Sequence, residues 1–227
     1  MKSLSIENIF AGKIKDIKVT KGKKYQSSYK KEPITEEVFV TFLGLKKDTQ
    51  TDKGHHGGFD KAICVYSKKN YAYFKNTYNI DLPLCAFGEN ITISNMDDKD
   101  ICLGDQYSNG SLIVEVSQPR QPCWKISSIL NIKKLTSLVV KEAKTGFYFR
   151  VIKEGYLYQN KPLELILRPH KDINIEFINQ AHLTRNEKDI ECILECKELA
   201  GAFRIFLEKK IKNKKNIVLE KWQEEGY

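Results

Sequence analysis

One cysteine in this sequence sits in backbone stiff enough to aim it. Ser117-Gln118-Pro119-Arg120-Gln121-Pro122-Cys123-Trp124 follows a strand-like run, Ser111 to Val116, and precedes a helix-like run, Lys125 to Leu130. Pro119 and Pro122 each hold φ at about −65° and restrict the residue ahead of them. A thiol at a strand-to-helix corner, three residues after an arginine, suits a thiolate nucleophile or a metal ligand. The competing reading is a buried, inert thiol, since free cysteine is among the most buried residue types.

Two other loops carry chemistry-bearing residues. One is His55-His56-Gly57-Gly58-Phe59-Asp60-Lys61, which ends a polar stretch, Gly44 to Asp60, with four glycines and no period. A structureless loop of about 15 residues is usually functional or disordered, and its density of ionisable residues favours function. The other is Phe87-Gly88-Glu89-Asn90. With Gln118 to Cys123, these loops would supply a thiolate, an imidazole, an amide, an arginine, a lysine and glycine N–H groups.

That inventory excludes several chemistries. Gly-x-Ser-x-Gly is absent, as are His-Glu-x-x-His, Cys-x-x-Cys, a Walker loop and a Rossmann glycine fingerprint. One soft thiolate ligand fits a metal that brings its other ligands on its own cofactor. An anionic group on that cofactor would want Arg120, Lys61 and glycine-loop N–H groups. A cysteine nucleophile with His56 as its base fits nearly as well.

The elements that must position these loops are mostly strands. Ser5 to Val19 alternates loosely with period two, and Lys21 to Lys31 reads as a loop or edge hairpin. Strands are expected over Glu37–Leu43, Ala62–Tyr66, Ile91–Ser94, Ser111–Val116, Gly146–Lys153 and Leu163–Leu167, with a Gly104-Asp105 turn and a hairpin turn at Glu154-Gly155. Ser67 can cap a helix running to about Tyr78, with Tyr71, Phe74 and Tyr78 on one face. Helical runs follow Cys123 at about 125–130 and 134–143. From Arg168-Pro169-His170 onward the spacing turns helical throughout, enough for three short helices. Strands first and helices last predict a β-barrel or sandwich, residues 1–168, with a three-helix domain, residues 169–227.

The bulk numbers bound the class. The 227 residues, 41% hydrophobic and 30% charged, describe a globular chain of one or two domains. No apolar run reaches the roughly 18–20 residues of a membrane span, and Met1 to Ala11 lacks signal-peptide character, so a cytoplasmic protein is expected. The six cysteines, at 64, 85, 102, 123, 192 and 196, do not look like a disulfide framework. Cys64, Cys85 and Cys102 read as core; Cys192 and Cys196 would share a helix face. The net charge of +9 comes from lysines crowded between Lys13 and Lys31 and between Lys209 and Lys215. Few aromatics alternate with them, so solvated faces are expected ahead of nucleic-acid binding.

Several separated motifs recur together in a known order. They are Leu43-Gly44-Leu45, Asp48 and Gln50, His56-Gly57-Gly58-x-Asp60-Lys61-Ala62, Phe87-Gly88-Glu89-Asn90, Gly104-Asp105, Gln118-Pro119-Arg120-x-Pro122-Cys123 and Thr145-Gly146. The series resembles the MOSC family, the molybdenum cofactor sulfurase C-terminal type domain, and most resembles its YiiM-like bacterial branch. The resemblance covers roughly residues 5–168 and extends to a C-terminal segment of the type called the 3-alpha domain.

The resemblance implies a closed, mostly antiparallel β-barrel with a few helices. It implies the molybdenum cofactor (molybdopterin), with Cys123 as both metal ligand and catalytic residue. Arg120, Gln118, Lys61, Asp60, Asn90, Gly57 and Gly58 would face the cofactor or substrate. Relatives reduce N-hydroxylated compounds such as hydroxylaminopurines and amidoximes, with electrons from a partner redox protein. Our assignment for the catalytic acid is His56, because imidazole titrates near neutral pH. A carrier that holds the cofactor or its sulfur without turnover is the alternative, and the helical tail is expected to serve a redox partner or a homodimer. This chain departs from the family at Lys47, where glycine is usual, and at Thr51, where a small residue is usual. Lys47 would be strained if its backbone required positive φ.

Overall fold

The computed structural model describes residues 3–18, 24–49 and 57–212. The strands are β1 (Ser3–Leu4), β2 (Ile6–Ala11), β3 (Lys15–Lys18), β4 (Lys24–Ser27), β5 (Glu32–Ile34), β6 (Val38–Thr41), β7 (Gly44–Leu45), β8 (Ile63–Ser67), β9 (Ile91–Ile93), β10 (Gln106–Asn109), β11 (Leu112–Pro119), β12 (Phe147–Lys153), β13 (Gly155–Leu157) and β14 (Leu163–Leu167). The helices are α1 (Lys68–Tyr78), α2 (Lys125–Leu130), α3 (Leu135–Lys141), α4 (Ile175–Thr184), α5 (Glu187–Leu194) and α6 (Gly201–Lys212). A 3-10 turn, Phe59–Lys61, precedes β8.

Nine strands form one sheet in the order β1-β14-β10-β11-β12-β8-β9-β2-β5. The expected closed barrel is corrected here: the sheet curls into an open half-barrel, and no described ladder joins its edges β1 and β5. Only Ser5 separates β1 from β2, so the chain itself links one edge to the strand beside the other. The sheet is also not wholly antiparallel, because β8 and β9 run parallel. Helix α1 and the loop after it form the crossover that such a pair requires. The hairpin expected at Glu154-Gly155 does not form. At Gly155 the chain leaves the large sheet, and β13 pairs with β6 in a second sheet ordered β13-β6-β7. A side chain at Gly155 would run into Ser111 and the backbone of Leu112, so close packing selects glycine there. Strands β3 and β4 form a separate two-stranded hairpin.

Packing follows the sequence pattern. Helix α1 begins where Ser67 accepts from Lys69 N, as its capping chemistry predicts, and it buries Phe74. The main core gathers inward-facing strand residues such as Leu4, Ile63, Val114 and Phe149 with Ile178, Ile190, Phe203 and Leu207 of α4 to α6. The passage from strands to helices falls near residue 168, and one hydrophobic cluster is shared across it. A second cluster packs Tyr66, Phe74 and Phe87 against Ile126, Leu135 and Val139, beneath the cysteine loop. Tyr66 and Phe87 stack at 3.9 Å between ring centroids.

Other expectations resolve locally. Lys47 is not among the positive-φ residues, so the strain considered for it is absent; Gln50 and Thr51 lie outside the described residues. Cys64, Cys85 and Cys102 are buried. Cys192 and Cys196 do not share a face: Cys192 is exposed, whereas Cys196 lies beyond the end of α5 and is buried. Among the described residues no helix is long and apolar enough to cross a membrane.

Candidate functional site

Strand β11 runs three residues further than its apolar alternation indicates, so Gln118 and Pro119 belong to the sheet. The free loop is therefore only Arg120 to Trp124, anchored at both ends. Arg120 N donates to Gly146 O at 2.9 Å, and Cys123 O accepts from the Thr136 hydroxyl at 3.0 Å and from Ile126 N at 3.1 Å. Cys123 is half-buried.

Beside this loop lies a cavity of about 120 Å³. Arg120, Cys123 and Lys125 line it from the cysteine loop and the start of α2, and Phe87, Gly88 and Asn90 from the second loop. Lys61, Cys64 and Tyr148 reach it from the 3-10 turn, β8 and β12. The end of β4 and the segment after it, from Gln26 to Lys31, complete the wall with Asp48. Gly88 has φ +65°, and a side chain there would meet the Tyr29 ring. Glycine thus lets the hairpin segment seat against the second loop, where the Tyr29 hydroxyl donates to Ala86 O.

The electrostatics favour an anion. Four cations, Lys31, Lys61, Arg120 and Lys125, line the cavity against one carboxylate, Asp48. Arg120 is 7% exposed; its Nη2 donates to Phe87 O at 2.6 Å, while its buried Nη1 has no partner. Burial opposes the Arg120 charge, but the surrounding thiols and phenols outweigh it and hold the pKa above its ordinary value. A buried guanidinium nitrogen without an acceptor is costly, so an anionic ligand there would relieve it. The two cavity thiols differ in access. Burial pushes Cys64 up to about 11, keeping it a neutral thiol, whereas Cys123 is the more exposed of the pair.

Not every residue expected at the site lines it. Asp60 turns away: its carboxylate takes Arg150 at 2.8 Å and accepts from Gly201 N at 3.3 Å, tying the turn to β12 and α6. Gln118 is buried, with Nε2 donating to Pro119 O at 3.0 Å and Oε1 unpartnered. Gly57 and Gly58 lead into the 3-10 turn and are not lining residues. His56 lies outside the described residues, as does His55. Glu89 braces its own loop, accepting from the Tyr71 hydroxyl, the Thr92 hydroxyl and Phe87 N.

Asn90 does two jobs. It lines the cavity, and it closes a knot with a buried ion pair that sequence spacing did not reveal. Asp48 pairs with Lys31 at 2.5 Å and also accepts from Asn90 Nδ2 at 2.8 Å and Gly12 N at 2.7 Å. Asn90 Oδ1 accepts from Cys64 N at 3.1 Å. The knot joins β2, the segment after β7, β8 and β9. Lys31 sits in a lysine-rich run, and nothing local distinguishes it from its solvated neighbours. Tyr29, Cys64, Lys125 and Tyr148 were also missed, because each reads locally as packing or surface.

Among the described residues no three His, Cys, Asp or Glu side chains group to hold a metal. The protein offers one accessible thiol beside cations, so a metal bound there would bring its remaining ligands with it. That matches an anionic, metal-carrying cofactor, and the unpartnered Arg120 nitrogen fits its charge.

Fold and cavity together define a mainly-β protein that presents a thiol and a guanidinium to a cation-rich pocket. The MOSC domain model matches residues 52–164. The Bacillus subtilis (strain 168) protein YflK is 36% identical over 192 residues, covering 83% of this chain and 87% of that protein. The crystal structure of YiiM from Geobacillus stearothermophilus superposes with a TM-score of 0.75 at 31% identity, over 92% of this chain and 99% of that one. A Gibberella moniliformis (strain M3125 / FGSC 7600) protein named reductase is 29% identical over 193 residues, 83% of this chain but 34% of its own length. The chain belongs to the MOSC family, which is associated with the molybdenum cofactor.

Proposed function

We propose that this protein is a molybdenum-cofactor-dependent oxidoreductase that reduces N-hydroxylated small molecules such as hydroxylaminopurines. The observation that carries the reading is the half-buried Cys123 thiol in the same cavity as the unpartnered Arg120 nitrogen. The family, and the reductase name of one relative, support it at the level of class.

When bound, the cofactor would supply two-electron redox chemistry at its metal. Cys123 would ligate that metal as thiolate, and Arg120, Lys61 and Lys125 would compensate the anionic charge. Asn90, locked to Asp48, holds the wall at a fixed distance. Burial keeps Tyr148 and Tyr29 above the ordinary phenol range, so both stay neutral, and the Tyr29 proton is committed to Ala86 O. We assign the proton needed for N–O cleavage to His56 on titration range alone. An electron-donating redox protein completes the proposal.

The test is Cys123→Ala in protein made by a host that synthesises the cofactor. Elemental molybdenum and hydroxylaminopurine reduction are expected to disappear together; molybdenum retained at the wild-type level would sink the assignment. Wild-type protein that is loaded but turns over no hydroxylaminopurine with any reductant would identify a carrier instead.

A further inference from the structure

The Thr145-Gly146 pair carries no reactive group, yet buried contacts converge on it from three elements outside the cysteine loop. Gly146 O holds the cysteine loop by accepting from Arg120 N at 2.9 Å. Gly146 N donates to Asp98 Oδ2 at 3.1 Å, and Asp98 Oδ1 accepts from Asn70 Nδ2 of α1 at 3.2 Å. The Thr145 hydroxyl donates to Gly146 O at 2.9 Å and accepts from Asn179 Nδ2 of α4 at 2.8 Å. Gly146 has φ +72°, and the Val65 carbonyl and Tyr66 ring fill the space where a side chain would stand. The turn therefore cannot relax toward β8. Asp98 is 1% exposed, and its carboxylate hydrogen bonds go to Gly146 and Asn70, not to the cysteine loop itself.

We propose that Asp98 is a positioning residue for the cysteine loop: its carboxylate holds the Thr145–Gly146 turn, the turn holds Arg120, and the placement of Cys123 therefore depends on pH. The inference rests on the reading above for why that placement matters, but not for how it is measured.

Burial pushes the Asp98 carboxyl up to about 6, against the Gly146 N–H, the Lys144 ammonium and the Asn70 amide, which favour the charged form. Asp97, beside it, raises it further. The charged neighbours have partners of their own. Lys144 is shared with Glu176 of α4 at 3.0 Å, Asp97 pairs with Lys99 at 3.9 Å, and Tyr66 of β8 stays neutral. Above the Asp98 transition the hold on Gly146 N is a charge-assisted hydrogen bond; below it the bond is neutral and weaker.

The experiment is iodoacetamide alkylation of the full-length, cofactor-free chain between about pH 5 and pH 8, across the Asp98 transition. Peptide mapping gives the rates of Cys123 and of exposed Cys192 separately, with Cys192 as the internal standard. In wild type the Cys123 to Cys192 ratio rises as the pH falls through the Asp98 transition. In Asp98→Asn the ratio is already high, roughly fivefold over wild type at neutral pH, and flat with pH, as expected for one charge-assisted bond made neutral. Equal ratios at every pH, or a difference that does not change with pH, overturn the proposal. If Asp98→Asn does not melt cooperatively, Asn70→Ala is read instead. Losing that donor must move the wild-type transition to higher pH, and an unmoved transition overturns the proposal equally. Wild type that binds no molybdenum would remove the cofactor reading and leave the alkylation result standing.

Discussion

At the scale of single residues, Arg120 shows how little of a side chain's role its type conveys. One of its terminal nitrogens is spent on the Phe87 carbonyl and the other is buried without a partner. A lysine would span the two directions poorly, because its three N–H donors radiate from one nitrogen and lack the wide, rigid fork of a guanidinium. Arg120→Lys should fold, melting within a few degrees of wild type, and should lose roughly tenfold or more in molybdenum retained after gel filtration, about the worth of one charge-assisted hydrogen bond. Unchanged retention would remove Arg120 from cofactor binding. Asp60 teaches the opposite lesson: its motif placed it with the site residues, but its charge is consumed by Arg150 and the start of α6. Two neighbours in sequence, Asp60 and Lys61, thus serve different faces, because the 3-10 turn rotates them apart.

At the scale of elements, the site depends on where strands end. Strand β11 carries Gln118 and Pro119 in register with Tyr148 and Phe147 of β12, so the cysteine loop leaves the sheet from a fixed point. The Thr145–Gly146 turn that opens β12 is the matching anchor. Gly146→Ala would force a side chain into the Val65 carbonyl while demanding positive φ. We expect a loss of about 2–4 kcal/mol in the urea-unfolding free energy, the range for backbone strain combined with a steric clash. A variant with wild-type stability would show that the turn can shift, and would weaken its role as an anchor.

At the scale of the whole molecule, the C-terminal helices are stitched to the sheet at the level of the site. Ala200 N donates to Ser117 O, Gly201 N to Asp60, and Asn179 to Thr145. Within this seam His182 packs edge-on against Phe206 at 5.5 Å; burial and the Lys210 ammonium lower it to about 3. The unfolded chain therefore binds a proton below about pH 6.5 that the fold does not, and stability falls as pH drops through that window. Because His182 is only half-buried, the expected loss between pH 7 and pH 5 is about 1 kcal/mol, and His182→Gln should remove it. Asp98 acts with the opposite sign, since its raised carboxyl binds a proton in the fold first. The variant's free energy should therefore hold level or rise slightly across the same range; a slope as steep as wild type would exclude His182 as the cause. The sequence alone determined the apolar strands β6, β8, β9, β11, β12 and β14, the Ser67 cap, the three terminal helices and the cysteine corner, because hydrophobic period, capping chemistry and proline geometry act over a few residues; the short or polar strands β5, β7, β10 and β13 carry no such period. It also carried the ordered motifs of the family. Only the tertiary structure decided that the sheet stays open, that Lys31 and Asp48 form a buried pair, that Asp60 and Gln118 do not line the cavity, and that the Asp98 carboxylate holds the Gly146 N–H. Those outcomes depend on contacts between residues tens of positions apart, where burial and partner choice outweigh any local preference.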